Sequence, residues 1–253
     1  MATKIGIVGN IGYIAKNLKN NFKNHQNISL IRLEAPNFEG IEKCDFVLDV
    51  SGPNSQLKIK NVDKSQVKEL TLGKQKRLLE VLAPVNIPYY RIASIYELIP
   101  EHRESLYSII GKALNDQLKA HQSDVAGGLV YCTNLYGGID SHSIVDLIRS
   151  HKLDNSLTLI ENPSSSRDFL HIETFLNFIL IELLKPRPEP RFQEYLVATG
   201  IQFSVGDLYG EFNSDTETKN GTLTDWETNL SLKEQGIDFI SLKSELAAYM
   251  FKK

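Results

Sequence analysis

The stretch Lys4-Ile5-Gly6-Ile7-Val8-Gly9-Asn10-Ile11-Gly12-Tyr13-Ile14-Ala15 decides the fold. Lys4 to Val8 is an apolar run closed by glycine, the pattern of a buried parallel strand. From Ile14 to Lys23 the apolar residues Ile14, Leu18 and Phe22 recur every four positions, which predicts one face of a helix. The junction reads G-x-x-G-x-x-A, and each small residue has a physical use. Gly9 permits the tight turn off the strand, Gly12 lets the backbone approach a pyrophosphate, and Ala15 lets the helix pack closely on the sheet. The helix start then offers backbone N–H groups and a positive dipole end to an anion. Gly9, Asn10, Ile11, Gly12, Tyr13 and Ile14 are therefore the expected phosphate cradle of a dinucleotide. The alternative is a glycine turn that binds nothing.

Working outward, strand and helix patterns alternate. Strands are expected at Ile28 to Leu33, Asp45 to Val50, Tyr89 to Ser94 and Gly127 to Thr133. Helices are expected at Gln66 to Leu82 and Ser105 to His121. Ser51-Gly52-Pro53-Asn54 is a strong turn signal after the third strand. This alternation predicts an α/β fold with a Rossmann-like, doubly wound parallel sheet. Beyond about residue 135 the pattern loosens. A helix is expected at Ile139 to Lys152, a strand at Leu157 to Ile160, a helix at Ile172 to Leu184 and a short strand at Glu194 to Ala198. Residues 185–190 read as a Pro-rich connector and 213–224 as a polar loop. The expected division is a nucleotide-binding domain over 1–138, to which 160–190 returns, and a reduced, discontinuous C-terminal substrate-binding lobe over 139–253.

Composition sets the outer limits. The chain has 253 residues, 42% hydrophobic and 23% charged, which suffices for a sizeable core. A net charge of -3 gives no basic surface for nucleic acid or for an anionic membrane. The most apolar stretch, Phe175 to Leu184, is too short to span a bilayer. Cys44 and Cys132 are too few for a disulfide framework and lack metal-ligand spacing, so no metal is expected. They read as reduced thiols of a cytoplasmic protein.

The end of the second strand bears on which dinucleotide is bound. An acid there would hold the ribose hydroxyls of NAD, and an arginine would accommodate the 2′-phosphate of NADP. Arg32 and Glu34 lie two apart and point the same way along a strand. Arg32 tips the expectation toward NADP over NAD, with a plain surface arginine as the competing reading.

Four segments resemble one family, the extended short-chain dehydrogenase/reductases that modify nucleotide-linked sugars as epimerases, dehydratases and reductases. The first is the G-x-x-G-x-x-A loop. The second, Asp45-Phe46-Val47-Leu48-Asp49-Val50-Ser51-Gly52, is similar to the strand that ends beside the cofactor's adenosine and ribose, which implies cofactor contacts at Ser51 and Gly52. The third, Thr133-Asn134-Leu135-Tyr136-Gly137, is similar to the family's T-N-V-Y-G. The fourth, Arg167-Asp168-Phe169-Leu170-His171-Ile172-Glu173, is similar to R-D-F-V-H-V-D. The resemblance implies that Arg167 contacts the nucleotide half of the substrate, where a forked and permanent charge suits phosphate. It implies that Asn134 faces substrate or nicotinamide. The competing structural readings are an Arg167–Asp168 pair and a strand-end cap by Asn134. His171, at a strand-to-helix junction, reads as packed or hydrogen-bonded.

The family's chemistry uses a tyrosine, a lysine four residues later and an upstream serine or threonine. The resemblance implies Tyr107 as proton donor, Lys112 on the nicotinamide ribose and Ser94 polarising the sugar carbonyl. Tyr107 and Lys112 are five apart, and alignment on Lys112 puts Ser108 at the tyrosine position. In a regular helix five residues rotate by roughly 140°, so the two would not share a face. Three readings stand: Tyr107 precedes the helix, a one-residue bulge restores the face, or the catalytic tyrosine is absent. For Ser94 the alternative is an ordinary strand-end serine. Beside Ser94 there is no Asp-Glu pair of the kind dehydration needs. The implied activity is NAD(P)-dependent reduction of a nucleotide-linked keto-sugar, of the 4-keto-6-deoxy type. Epimerisation, dehydration and a non-catalytic member that only binds are the alternatives. Family members often dimerise through the helix of the tyrosine and lysine. A homodimer is thus expected, with Ile109, Ile110 and Leu114 at its face or, alternatively, packed inward.

Overall fold

The computed structural model describes residues 2–9, 12–23, 25–52, 63–98, 105–141, 143–153, 165–183, 192–200, 202–209, 230–231 and 249. The expected strand at 157–160, the connector at 185–190 and the loop at 213–224 lie outside these. So do Asn10 and Ile11 of the glycine loop.

The chain forms two compact units, Met1–Tyr131 with Lys185–Tyr195, and Cys132–Leu184 with Leu196–Lys253. The change of unit at Tyr131 comes earlier than the expected 138. The segment expected to return to the first domain is instead placed mostly in the second unit, because its strand pairs there.

In the first unit, β1 (Thr3–Val8) is followed by α1 (Tyr13–Phe22), β2 (Ile28–Leu33), β3 (Phe46–Asp49), α2 (Lys64–Leu82), β4 (Tyr89–Ser94), α3 (Leu106–Ala120) and β5 (Gly127–Cys132). β8 (Phe192–Ala198) begins in this unit. The strand order is β2-β1-β3-β4-β5-β8. β1 runs parallel to both β2 and β3, and β3 runs parallel to β4. The chain therefore winds outward one way from β1 and then returns to wind the other way. The carboxyl ends of β1 and β3 lie side by side at this switch, where open α/β sheets leave a crevice for ligands.

The apolar runs of β1, β3 and β4 are buried on both faces, as helix-covered parallel strands require. On α1 the buried residues are Ala15, Asn17, Leu18 and Phe22. Ala15 is buried, the close packing expected of the motif's alanine, and Ile14, expected on the same face as Leu18 and Phe22, is half-buried. On α3 the buried face holds Ser108, Ile110, Gly111, Leu114, Asn115 and Leu118. Of the three apolar residues considered for a dimer face, Ile110 and Leu114 thus pack inward, and Ile109 stays exposed.

In the second unit, β6 (Asn134–Tyr136), β7 (Ser166–His171) and β9 (Gln202–Ser204) form a small sheet in the order β6-β7-β9. β6 is parallel to β7, and β9 is antiparallel to it. α4 (Ile144–Leu153), α5 (Ile172–Phe178) and α6 (Val205–Tyr209) complete the regular elements, with a two-residue β10 (Leu230–Ser231) pairing the end of β8. α5 widens into a π turn over Ile179–Leu183, where the apolar periodicity predicts one continuous helix. The core packs Tyr136, Val145, Ile148, Phe169, Phe203 and Leu208. Both cysteines are buried thiols.

Candidate functional site

At the switch between β1 and β3, Gly9 has φ +86° and touches the backbone of Ser51. A Cβ at residue 9 would lie 2.6 Å from both the Cα and the N of Ser51. No L side chain fits there, and the backbone conformation itself favours glycine. Gly12 is the residue before α1. Among the described residues no side chain caps that helix start, and its first turn carries no acidic residue. Natural helices commonly place Ser, Thr, Asp or Asn at this position. A bare glycine followed by no acid leaves the positive end of the helix to an anion instead. Tyr13 and Ile14 open the helix half-buried. The narrow approach at Gly9 and the uncapped start of α1 are what a pyrophosphate needs, so the residues present fit a dinucleotide.

A buried carboxylate shapes the other wall. Asp49 accepts from the Ser51 amide at 2.8 Å and from the Tyr89 hydroxyl at 2.7 Å. The Val50 amide donates to the Val8 carbonyl at 3.0 Å, so the two strand ends are pinned together. Burial, then the Asp49 charge, pushes the Tyr89 phenol well above its ordinary range, so it stays a neutral donor. Asp49 escaped the reading of the sequence because an acid ending a strand gives no sign of which way its carboxylate turns.

Arg32, the last residue but one of β2, is exposed and forms an ion pair with Glu34. The two groups expected to discriminate NADP from NAD therefore neutralise each other at the surface.

Ser94 ends β4 and caps a single 3₁₀ turn, Ile95–Glu97. Its Oγ accepts from the Tyr96 amide at 3.3 Å, while its own amide donates to Glu97 Oε1 at 3.1 Å. This is a capping box, S-x-x-E, and the sequence Ser94-Ile95-Tyr96-Glu97 carried that signal.

Two of the readings offered for Tyr107 fail in the structure. Tyr107 is the second residue of α3, not a residue ahead of it, and α3 is α-helical from Leu106 to Ala120 with no bulge. Ser105 caps the helix, its Oγ accepting from the Ser108 amide at 3.1 Å, and this cap fixes where the helix begins. Tyr107 and Lys112 therefore diverge by roughly 140°. Lys112 is 60% exposed and binds Asp116 at 2.6 Å, one turn along the same helix. Ser108, at the position the resemblance assigns to tyrosine, is buried and donates to the Tyr96 carbonyl at 3.2 Å.

In the second unit, Asn134 donates its amide to the Asp168 carbonyl at 2.9 Å, and the Thr133 hydroxyl donates to the same oxygen at 2.6 Å. Asp168 does not pair with Arg167. Adjacent strand residues face opposite sides, and the buried Asp168 carboxylate accepts instead from the amides of Thr199, at 3.2 Å, and Gly200, at 2.7 Å. Burial pushes its pKa up to about 6 despite these bonds. Arg167 is half-buried on β7 opposite Phe203. His171 caps α5, its Nδ1 accepting from the Glu173 amide at 3.4 Å.

Among the described residues, no group of three or more His, Cys, Asp or Glu is placed to hold a metal ion. Among them, too, no helix is long and apolar enough to cross a membrane.

No family model and no curated protein matches the chain in sequence. Solved structures do match. The ADP-L-glycero-D-manno-heptose-6-epimerase of Helicobacter pylori superposes with a TM-score of 0.65 at 16% identity, over 82% of this chain and 80% of that one. The UDP-glucose 4-epimerase of Thermotoga maritima, solved with UDP-glucose, gives 0.64 at 13% identity over 82% and 80%. The Bordetella bronchiseptica enzyme WbmG, solved with NAD, gives 0.64 at 14% identity over 83% and 76%. The chain has the fold of the extended short-chain dehydrogenase/reductases.

Proposed function

We propose that the chain belongs to the extended short-chain dehydrogenase/reductases and is an NAD(P)-dependent enzyme acting on a nucleotide-linked sugar, reducing a keto-sugar of the 4-keto-6-deoxy type. The observation that carries this is Gly9 packed on the Ser51 backbone beside the uncapped start of α1. Gly9, Gly12, Tyr13, Ile14, Ser51 and Gly52 would hold the dinucleotide. When bound, it supplies or accepts the hydride. Ser94 takes the Tyr96 amide on its oxygen, and among the described residues nothing accepts its proton. It would donate to a carbonyl, a bond that strengthens as the oxygen gains charge. With the shared tyrosine–lysine face gone, Tyr107 would have to give the proton that completes the reduction without Lys112 beside it. Lys112 reaches a ribose only by leaving Asp116, and an exposed pair one helical turn apart holds it by only about 0.3–0.5 kcal/mol. Arg167 and Asn134 would contact the nucleotide and sugar of the substrate. The nucleotide-linked substrates of the epimerases with this fold support that class.

One observation favours a second reading. With Lys112 and Tyr107 on different faces, the chain is a non-catalytic member that binds dinucleotide and sugar nucleotide. Fluorescence titration with NADH and NADPH, followed by turnover assays on a panel of nucleotide-linked 4-keto-6-deoxy sugars, separates the two. Cofactor loss with any of these sugars supports the reductase. Tight cofactor binding with no turnover supports the second reading, and no cofactor binding overturns both.

A further inference from the structure

Arg91, on β4, and Glu97, in the turn after Ser94, form an ion pair that water barely reaches, their side chains 3% and 2% exposed. Such pairs are a poor source of stability, because desolvating both charges consumes most of the attraction. What this one does is join three elements. Glu97 Oε2 accepts from Arg91 Nη1 at 3.1 Å and from Asn115 Nδ2, on α3, at 2.7 Å. Glu97 Oε1 accepts from the Ser94 amide at 3.1 Å and from Arg91 Nη2 at 3.4 Å. Arg91 Nη1 also donates to Asn115 Oδ1. The carboxylate lies against Gly111, where a Cβ would come within 2.3 Å of Glu97 Cδ. Any other residue at 111 would force the Glu97 carboxylate to shift.

We propose that Glu97 is a positioning residue for Ser94. Its carboxylate locks the Ser94 turn onto α3, with Arg91 as counter-charge and Asn115 and Gly111 as the seat. The Ser94 hydroxyl then keeps a fixed relation to the helix that carries Tyr107. This rests on the roles given above to Ser94 and Tyr107. It assigns to the buried Glu97 an ordering of the site that Lys112, turned away from Tyr107, does not supply.

The test is Glu97→Gln, which preserves shape but turns an NH2 group toward the donors of Arg91 and Asn115. Three readouts are taken at a temperature where the variant is folded. The Ser94 amide exchanges about tenfold faster by NMR. kcat for the keto-sugar falls about 10- to 100-fold, as expected of a misplaced catalytic group. KM and the NADH Kd stay within about twofold. The double variant Glu97→Gln/Asn115→Asp returns a carboxylate to Arg91 and recovers kcat. If Glu97→Gln does not fold, Asn115→Ala removes the hydrogen bonds of Glu97 and Arg91 to α3 while keeping the ion pair, and its kcat falls about tenfold. A variant that melts earlier but keeps kcat and Ser94 exchange overturns the proposal. If the wild type turns over none of the sugars, the functional reading fails. Ser94 exchange in the variant then decides the positioning role, unchanged exchange overturning it.

Discussion

Gly9 and Ser51 are in contact across the switch point of the sheet, the glycine at φ +86° and its α-carbon hydrogen turned into the Ser51 backbone. The tight place is made by two strand ends held in register by the Val50–Val8 hydrogen bond. Neither can retreat without breaking the parallel ladder of β1 and β3.

Gly9→Ala is therefore expected to weaken NADH binding at least about tenfold and to lower stability by roughly 1–3 kcal/mol, from backbone strain and the clash with Ser51. Fluorescence titration and denaturant melts check this. An alanine variant with wild-type affinity would remove Gly9 from the cofactor site.

Tyr89→Phe deletes the hydroxyl that satisfies Asp49 and leaves a buried carboxylate oxygen short of a donor. The expected loss is about 1–3 kcal/mol in urea unfolding. Cofactor affinity should fall as well, because Asp49 also holds the Ser51 amide. Wild-type stability would show that Asp49 finds another donor.

Tyr107→Phe tests the proton donor directly. kcat for the keto-sugar should fall about 10²- to 10⁴-fold with NADH affinity unchanged. Full activity in this variant would mean that the proton comes from elsewhere.

Glu34→Gln releases Arg32 from its surface ion pair. NADPH affinity is expected to rise severalfold at low salt, with NADH affinity unchanged or lower, since the pair competes with the 2′-phosphate. Equal changes for both cofactors would show that β2 does not read the adenosine ribose.

Asp168 makes stability depend on pH in a definite direction. Its folded pKa, about 6, lies above the ordinary 3.8, so the folded state holds this proton more tightly than the unfolded chain. The contribution is present in full below about pH 3.8 and is lost as pH rises through about 6. The stability of wild type relative to Asp168→Asn should thus fall between pH 4 and 6, by on the order of 3 kcal/mol. Chemical denaturation of both proteins across that range measures it. A difference that grows with pH would reverse the assignment.

The first half of the fold was legible because its signals are local. The apolar runs of β1, β3 and β4, the helix face of Leu18 and Phe22, and the small residues of the glycine loop each follow from backbone sterics and burial within a few residues. Ser94 and Glu97 could also be read together, since a capping box spans only four positions. What tertiary structure alone decided were the partners of charged and polar groups distant in sequence. Asp49 turns to Tyr89, Asp168 to the Thr199–Gly200 turn rather than to Arg167, and Glu97 to Arg91 and Asn115. A side chain's direction is set by which burial leaves its charge satisfied, and that depends on strands brought together from across the chain. The same holds for Tyr107 and Lys112. Their five-residue spacing was plain in the sequence, but the start of α3 at the Ser105 cap, with no bulge to absorb the extra residue, decided that they face apart.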